Sequence, residues 1–140
     1  MTLADIEELL PNGFHDAEIE QFIWDYRTNS ASFTLELWVA EDGDQSLEVY
    51  RRGRLELKEI IFIMIDPPDT GPYRHSRGRL RIDGLATTES ILPSFARLMG
   101  TVTPHVNPYS FYVDNWNSYI HIAAKESELI WIGEREVRTK

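Results

Sequence analysis

The chain has no cysteine. Disulfide staples, thiolate nucleophiles and Cys-based zinc or iron–sulfur sites are therefore excluded, and a reducing compartment is compatible with the composition. A long apolar run is missing as well: the longest, residues 60–65, has six residues, against the roughly 20 needed to span a bilayer. No membrane association is expected. The opening Met1-Thr2-Leu3-Ala4-Asp5-Ile6-Glu7-Glu8 is acidic rather than basic and then apolar, so a secretory leader is not expected and the location reads as cytoplasmic. There is no Gly-rich phosphate loop, nucleophile elbow or His-Glu-x-x-His helix, so the usual enzyme signatures are absent and no cofactor is read. Cations are scarce in the first fifty residues, where twelve acids face Arg27 alone, a balance of −11.

What is present is enough for one core. The 140 residues, 42% apolar with four Trp, six Tyr and six Phe, suit a single domain over residues 1–140 with apolar area to offset its ordering entropy. Net charge is −9, yet residues 51–81 carry +4 through Arg51, Arg52, Arg54, Lys58, Arg74, Arg77, Arg79 and Arg81. This split predicts an electrically bipolar molecule, with Glu18, Glu20 and Glu36 on its acidic surface. Such a surface disfavours nucleic acid, whose binding rests on phosphate neutralisation, and favours a basic protein partner. A homodimer that sets the Arg77 to Arg81 face against its own acidic half is the alternative.

Periodicity predicts mostly strands. Leu3, Ile6 and Leu10 fall at helical spacing behind Thr2 as N-cap, and Pro11-Asn12-Gly13 stops a short helix. From Ala17 the apolar parity switches around Gln21, which predicts either a strand with apolar groups on both faces or a bulge near Gln21. Residues 31–39 alternate cleanly, one face buried and one wet. Glu41-Asp42-Gly43-Asp44 reads as a hairpin tip rather than a calcium loop, because the spacing of its oxygens is wrong. Residues 47–57 predict a third strand interrupted or bulged at Gly53, and residues 60–65 a separate central strand ended by Pro67-Pro68. A loop is expected over residues 69–76, a short strand at Leu80 and Ile82, a second short helix over residues 88–99, and closing strands at 109–114, 120–124 and 129–137. Their joints are Asn115-Trp116-Asn117-Ser118 and Glu126-Ser127-Glu128. The expected architecture is α+β, mainly antiparallel β: a bent sheet or sandwich of about seven to nine strands with the N-terminal helix at one edge. Its core should hold Phe33, Leu35, Leu37, Leu55, Leu57, Ile61, Ile63, Val113, Ile120 and Ile122.

Gly13-Phe14-His15-Asp16-Ala17 ahead of a strand ending in Asp25-Tyr26, and the Asn115-Trp116-Asn117 turn before Ile120-His121-Ile122, resemble a family of small uncharacterised bacterial β-rich proteins. That family opens on a His-Asp-Ala motif and is related to immunity proteins of polymorphic toxin systems. The resemblance implies a fold of this kind and a toxin-like basic partner. It carries over no catalytic residue.

Read for chemistry, His15, Asp16 and His121 are the residue types of a metal or acid–base site, if the fold brings them together. The bland reading gives Asp16 the backbone donors of its turn and the histidines strand-edge hydrogen bonds. Trp116 between Asn115 and Asn117 offers either turn chemistry or an aromatic–polar contact patch. Arg74, Arg77, Arg79 and Arg81 form a basic face able to hold a phosphate or carboxylate, or to pair with the N-terminal acids of the same chain. The reading from these residues is a non-catalytic protein-binding module; a small metal-dependent enzyme using His15, Asp16 and His121 is the alternative.

Overall fold

The computed structural model describes residues 1–40, 48–67, 79–85 and 109–138. Helix α1, Leu3–Leu9, begins with a reciprocal cap. The Asp5 N–H donates to Thr2 Oγ1 (3.1 Å) while the Thr2 N–H donates to the Asp5 carboxylate (2.8 Å). The apolar stripe Leu3, Ile6 and Leu10 is buried, and that packing is what holds a seven-residue helix too short to persist alone. No helix among the described residues is long and apolar enough to cross a membrane.

Seven strands follow: β1 Glu18–Asp25, β2 Ser30–Trp38, β3 Glu48–Ile65, β4 Leu80–Leu85, β5 Tyr109–Val113, β6 Ser118–Trp131 and β7 Glu136–Arg138. All are paired antiparallel in the order β2-β1-β4-β5-β6-β3-β7, and β3 also pairs with β2. The sheet thus closes on itself as a six-stranded barrel, with β7 added to β3 outside the ring. A sandwich is not what forms. Closure removes most of the free edge that two stacked sheets would keep, although β5 pairs with β6 over residues 118–122 of its fourteen.

The inward side chains alternate with outward ones as the pleat requires. Phe33, Leu35, Leu37, Leu55, Leu57, Ile82, Phe111, Val113, Ile120 and Ile122 fill the interior with α1 and Phe14 closing over it. Burying one such side chain is worth about 1.5–3 kcal/mol. The expected bulge near Gln21 is present, as a register shift between Ile19 and Gln21 against β2.

Two expected strand boundaries vanish, and the expected strand over residues 129–137 is divided between β6, which ends at Trp131, and β7, Glu136–Arg138. Residues 48–57 and 60–65 both belong to β3, eighteen residues long. The parity break that suggested two elements is a bulge: Glu59 sits at φ 50° and the register against β6 shifts between Ile60 and Phe62. It turns Ile60 into the core (7% exposed) and leaves Ile61 outside (38%), so Ile61 is not a core residue, while Ile63 is partly buried against the core. Gly53 causes no interruption. It pairs continuously with Leu35, and its missing side chain leaves room for Leu129, Leu37 and Trp131, which an added Cβ would meet at 3.1–3.4 Å. Glu126-Ser127-Glu128 is likewise no turn but the middle of β6, opposite Lys58, Leu57 and Glu56. The expected second helix, the loop over residues 69–76 and the hairpin tip at residues 41–44 lie outside the described residues.

Candidate functional site

The N-terminal turn is organised by a residue that periodicity did not single out. The Glu7 carboxylate accepts from the Phe14 N–H and from the Tyr109 hydroxyl, both at 2.9 Å. Glu7 lies three residues before Leu10 and four after Leu3, on the buried stripe of α1; a charge in that stripe is the sequence signal. Gly13 has φ 55°, and a Cβ there would run into the Glu7 carboxylate, so both backbone and space require glycine. Burial and the neighbouring Glu7 charge push the Tyr109 hydroxyl pKa far up. The Asn12 amide donates to the carbonyls of Trp38 (3.1 Å) and Ala40 (2.9 Å), and Phe14 packs edge-on to Phe111 at 5.1 Å.

Asp16 is held by its backbone. It has φ 60°, its N–H donates to the Ile82 carbonyl at 3.0 Å, and its carboxylate lies 3.5 Å from His15 Nε2. Of the donors expected to bond Asp16, the Phe14 N–H goes to Glu7, and those of Gly13, His15 and Ala17 go to the carbonyls of Leu10, Asn12 and Phe14. The half-exposed His15 ring also lies 3.5 Å from Asp83. On the other side of β4, the turn Asp114–Trp116 leads to Asn117 in the left-handed region, φ 47°. Asn115 Oδ1 accepts the Arg81 N–H at 2.7 Å, and Asp114 pairs with the Arg81 guanidinium at 2.6 Å. Trp116 is partly buried against the core. His15 and Asp16 on one side and the Asn115 to Asn117 turn on the other therefore both contact β4, through Ile82 and Asp83 and through Arg81 respectively, rather than each other.

His121 belongs elsewhere. It stands on the face of β6 opposite Ile120 and Ile122, 1% exposed, between Ser110 Oγ (2.7 Å from Nδ1) and Asp66 Oδ2 (3.0 Å from Nε2). A carboxylate only accepts, so in the neutral ring Nε2 carries the hydrogen and the Ser110 hydroxyl donates to Nδ1. The Tyr119 ring stacks on the imidazole at 5.8 Å, and the Asp66 N–H donates to the Tyr119 carbonyl at 3.0 Å. Serine, histidine and aspartate in this order are the groups of a hydrolytic triad. A nucleophile, however, needs a clear approach and donors waiting for the oxyanion, and Ser110 is buried directly across the ladder from His121. Both ring nitrogens of His121 are engaged, so a metal at Nδ1 would have to displace the buried Ser110 hydroxyl. Among the described residues no group of three or more His, Asp or Glu side chains is arranged to hold a metal ion.

The charges interleave instead of separating. Pairing β4 with β1 and β3 with β2 sets Arg81 opposite Glu18 and Arg52 opposite Glu36. Arg79 reaches Glu18 and Glu20 (both 3.0 Å), Arg52 reaches Glu20 (2.6 Å), and Arg138 reaches Glu18 (3.2 Å) and, at 3.9 Å, Glu36. Burial pushes the Glu36 carboxyl pKa up, and the adjacent Glu20 charge pushes it the same way against Arg79 and Arg138. The bipolar picture fails because β4 and β3 carry their arginines into the acidic half. Of the expected basic face, Arg79 and Arg81 are engaged within the chain, and Arg74 and Arg77 lie outside the described residues.

Two grooves flank β6. One, about 370 Å³, is lined by Met1, Glu56, Lys58, Glu126, Ser127 and Glu128. The other, about 310 Å³, lies between α1 and β6 and is lined by Met1, Ile6, Leu9, Leu10, Glu128, Leu129 and Trp131. The Met1 carbonyl, which accepts the Ser127 N–H at 3.0 Å, fixes the wall they share.

No known family model and no curated protein matches the chain. Among solved structures, the crystal structure of an uncharacterized protein from Neisseria gonorrhoeae is similar over 82% of this chain and 90% of that one, with 10% sequence identity and a TM-score of 0.43.

Proposed function

We propose that the protein is a non-catalytic protein-binding module of immunity-protein type that captures a basic partner. The observation that supports this is where the uncompensated acid sits. The glutamates of β1 and β2 are held by Arg52, Arg79 and Arg138. On β6, Glu126 and Glu128 are exposed, and among the described residues no ion pair engages either. Glu128 stands directly opposite Glu56 in the ladder, a like-charge pair that costs folding energy and that a partner's cation would relieve. Effectors that cut nucleic acid carry basic surfaces to engage phosphates, so an acidic inhibitor gains association rate and can cover the substrate channel.

The test is co-purification with the products of neighbouring genes, supplied individually, at low and moderate salt. Retention of one basic protein, weakened by salt and by Glu126→Lys with Glu128→Lys, supports the reading. Retention of none overturns it. Glu18, Glu20 and Glu36 are unsuitable for this reversal, because each is tied into the ion network that joins β1, β2, β3, β4 and β7.

A further inference from the structure

We infer that the two grooves beside β6 form one bipartite docking site for an extended segment of a basic protein. A large apolar side chain of that segment seats between α1 and β6, and adjacent lysines or arginines reach Glu56, Glu126 and Glu128. This rests on the binding-module reading and names the chemistry it would recognise.

The chain leaves β6 half-accompanied. β5 pairs with residues 118–122 of β6 only, whereas β3 follows it from Ile120 to Trp131. Beyond Ile122 no described strand covers the second edge, and the Met1 carbonyl takes the Ser127 N–H there. From Glu128 to Trp131 the edge borders the groove under α1. An uncovered edge is a template for an incoming extended chain, with main-chain bonds giving affinity and side-chain sites giving selectivity.

The apolar half is built from residues that a free surface would not gather. Leu9 is 69% exposed and Met1 59%, beside the partly buried Leu129 and Trp131. The acidic half adjoins it through Met1 and Glu128, which line both grooves. Glu56 is paired with Arg54 at 3.0 Å and Lys58 faces Glu126 across the ladder, so two cations stand against three carboxylates, and Glu128, opposite Glu56, is the one with no cation across the ladder. Charge complementarity therefore selects lysine or arginine, and the neighbouring Leu9 and Trp131 select a large apolar neighbour. Each groove is near the small end of the roughly 300–1,000 Å³ range of ligand sites, which suits a few residues rather than a folded surface.

The experiment is a titration of the intact, nitrogen-15-labelled protein followed by amide and indole shifts. The probes are a short extended peptide alternating leucine with lysine and a charge-matched peptide with serine for each leucine. The expected result is a shift cluster at residues 126–131 and the Trp131 indole, with the serine peptide weaker by about tenfold or more, the factor that corresponds to 1.4 kcal/mol. Leu9→Ser and Glu128→Lys, both at exposed positions, should each weaken the leucine peptide while leaving the rest of the spectrum in place. Equal affinity for the two peptides, or shifts confined to another face, overturns the inference. A partner captured unchanged by Leu9→Ser and Glu128→Lys overturns the groove and spares the binding module. Peptide binding at the groove with no captured partner overturns the immunity reading and spares the groove.

Discussion

Residues 118–122 of β6 run between β5 and β3, while among the described residues β3 is the one strand paired with residues 123–131. In the first stretch a buried histidine has both nitrogens bonded, a serine and an aspartate serve it, and Tyr119 stacks on it. In the second, two glutamates face solvent and one of them stands opposite a third. One strand thus carries polar groups with opposite assignments. Where two neighbours enclose it, each polar atom must be satisfied internally or cost roughly 1–3 kcal/mol. Where no described strand pairs on one side, exposed polar groups remain available to something outside the chain.

The enclosed end should break first and hardest. His121→Ala strands the Ser110 hydroxyl and the Asp66 carboxylate around a void, and should lower unfolding stability by about 3 kcal/mol, read as a fall in urea midpoint at constant slope. A loss below about 1 kcal/mol would mean that water or rearrangement replaces the imidazole. Next is Glu7→Ala, which leaves the Phe14 N–H and Tyr109 hydroxyl without their acceptor at the mouth of β5; about 2 kcal/mol is expected by the same measurement.

A smaller effect with a definite sign concerns Glu36. Its folded-state pKa is raised by burial and by Glu20, so the folded protein holds this proton more tightly than the unfolded chain does. The contribution is fully present below the unfolded carboxylate pKa and is lost as pH rises through the raised folded value. Thermal midpoints of Glu36→Gln should therefore fall less than wild type between acid and neutral pH. Parallel pH profiles would refute the assignment. The smallest effect belongs to residues 123–131: Glu128→Lys should change stability by no more than about 0.5 kcal/mol, in the stabilising direction because it removes the like-charge pair with Glu56.

What could be read from the sequence was local. Residues 31–39 alternate, and β2 is there; the apolar parity slips at Gln21, and the register slips there too. The Asn115 to Asn117 turn joins β5 to β6 as expected from asparagine's tolerance of left-handed backbone. What escaped depends on partners far along the chain. Glu126-Ser127-Glu128 has turn-like composition, and only pairing with β3 makes it a strand. Glu59 flips the face of β3 without any glycine to announce it. Of the chemistry-bearing residues, His121 was visible but Ser110 and Asp66 were not, since the contacts cross eleven and fifty-five positions. Asp16 attracted attention as a side chain, while its backbone carries the structural duty.

The seam between β1 and β4 sets the order in which the ring opens. Among the described residues, Glu18 with Arg81 and Ile19 with Leu80 are the pairs matched there, extended by the mutual bonds of Asp16, Ala17 and Ile82 at 2.8–3.0 Å, whereas β2 and β3 are matched from Ser30 with Lys58 to Trp38 with Tyr50. Joining β1 to β4 also closes a long intervening chain for few ladder bonds, so it completes late in folding and gives way early. The Ile82 amide should then exchange with solvent by a local opening, well before Leu35 and Leu57, which exchange only when the whole barrel unfolds. Arg79 stitches this seam to Glu18 and Glu20 from outside, at positions that salt screens. Ionic strength thus becomes a selective handle: it should quicken exchange at Ile82 and leave the β2–β3 amides almost untouched.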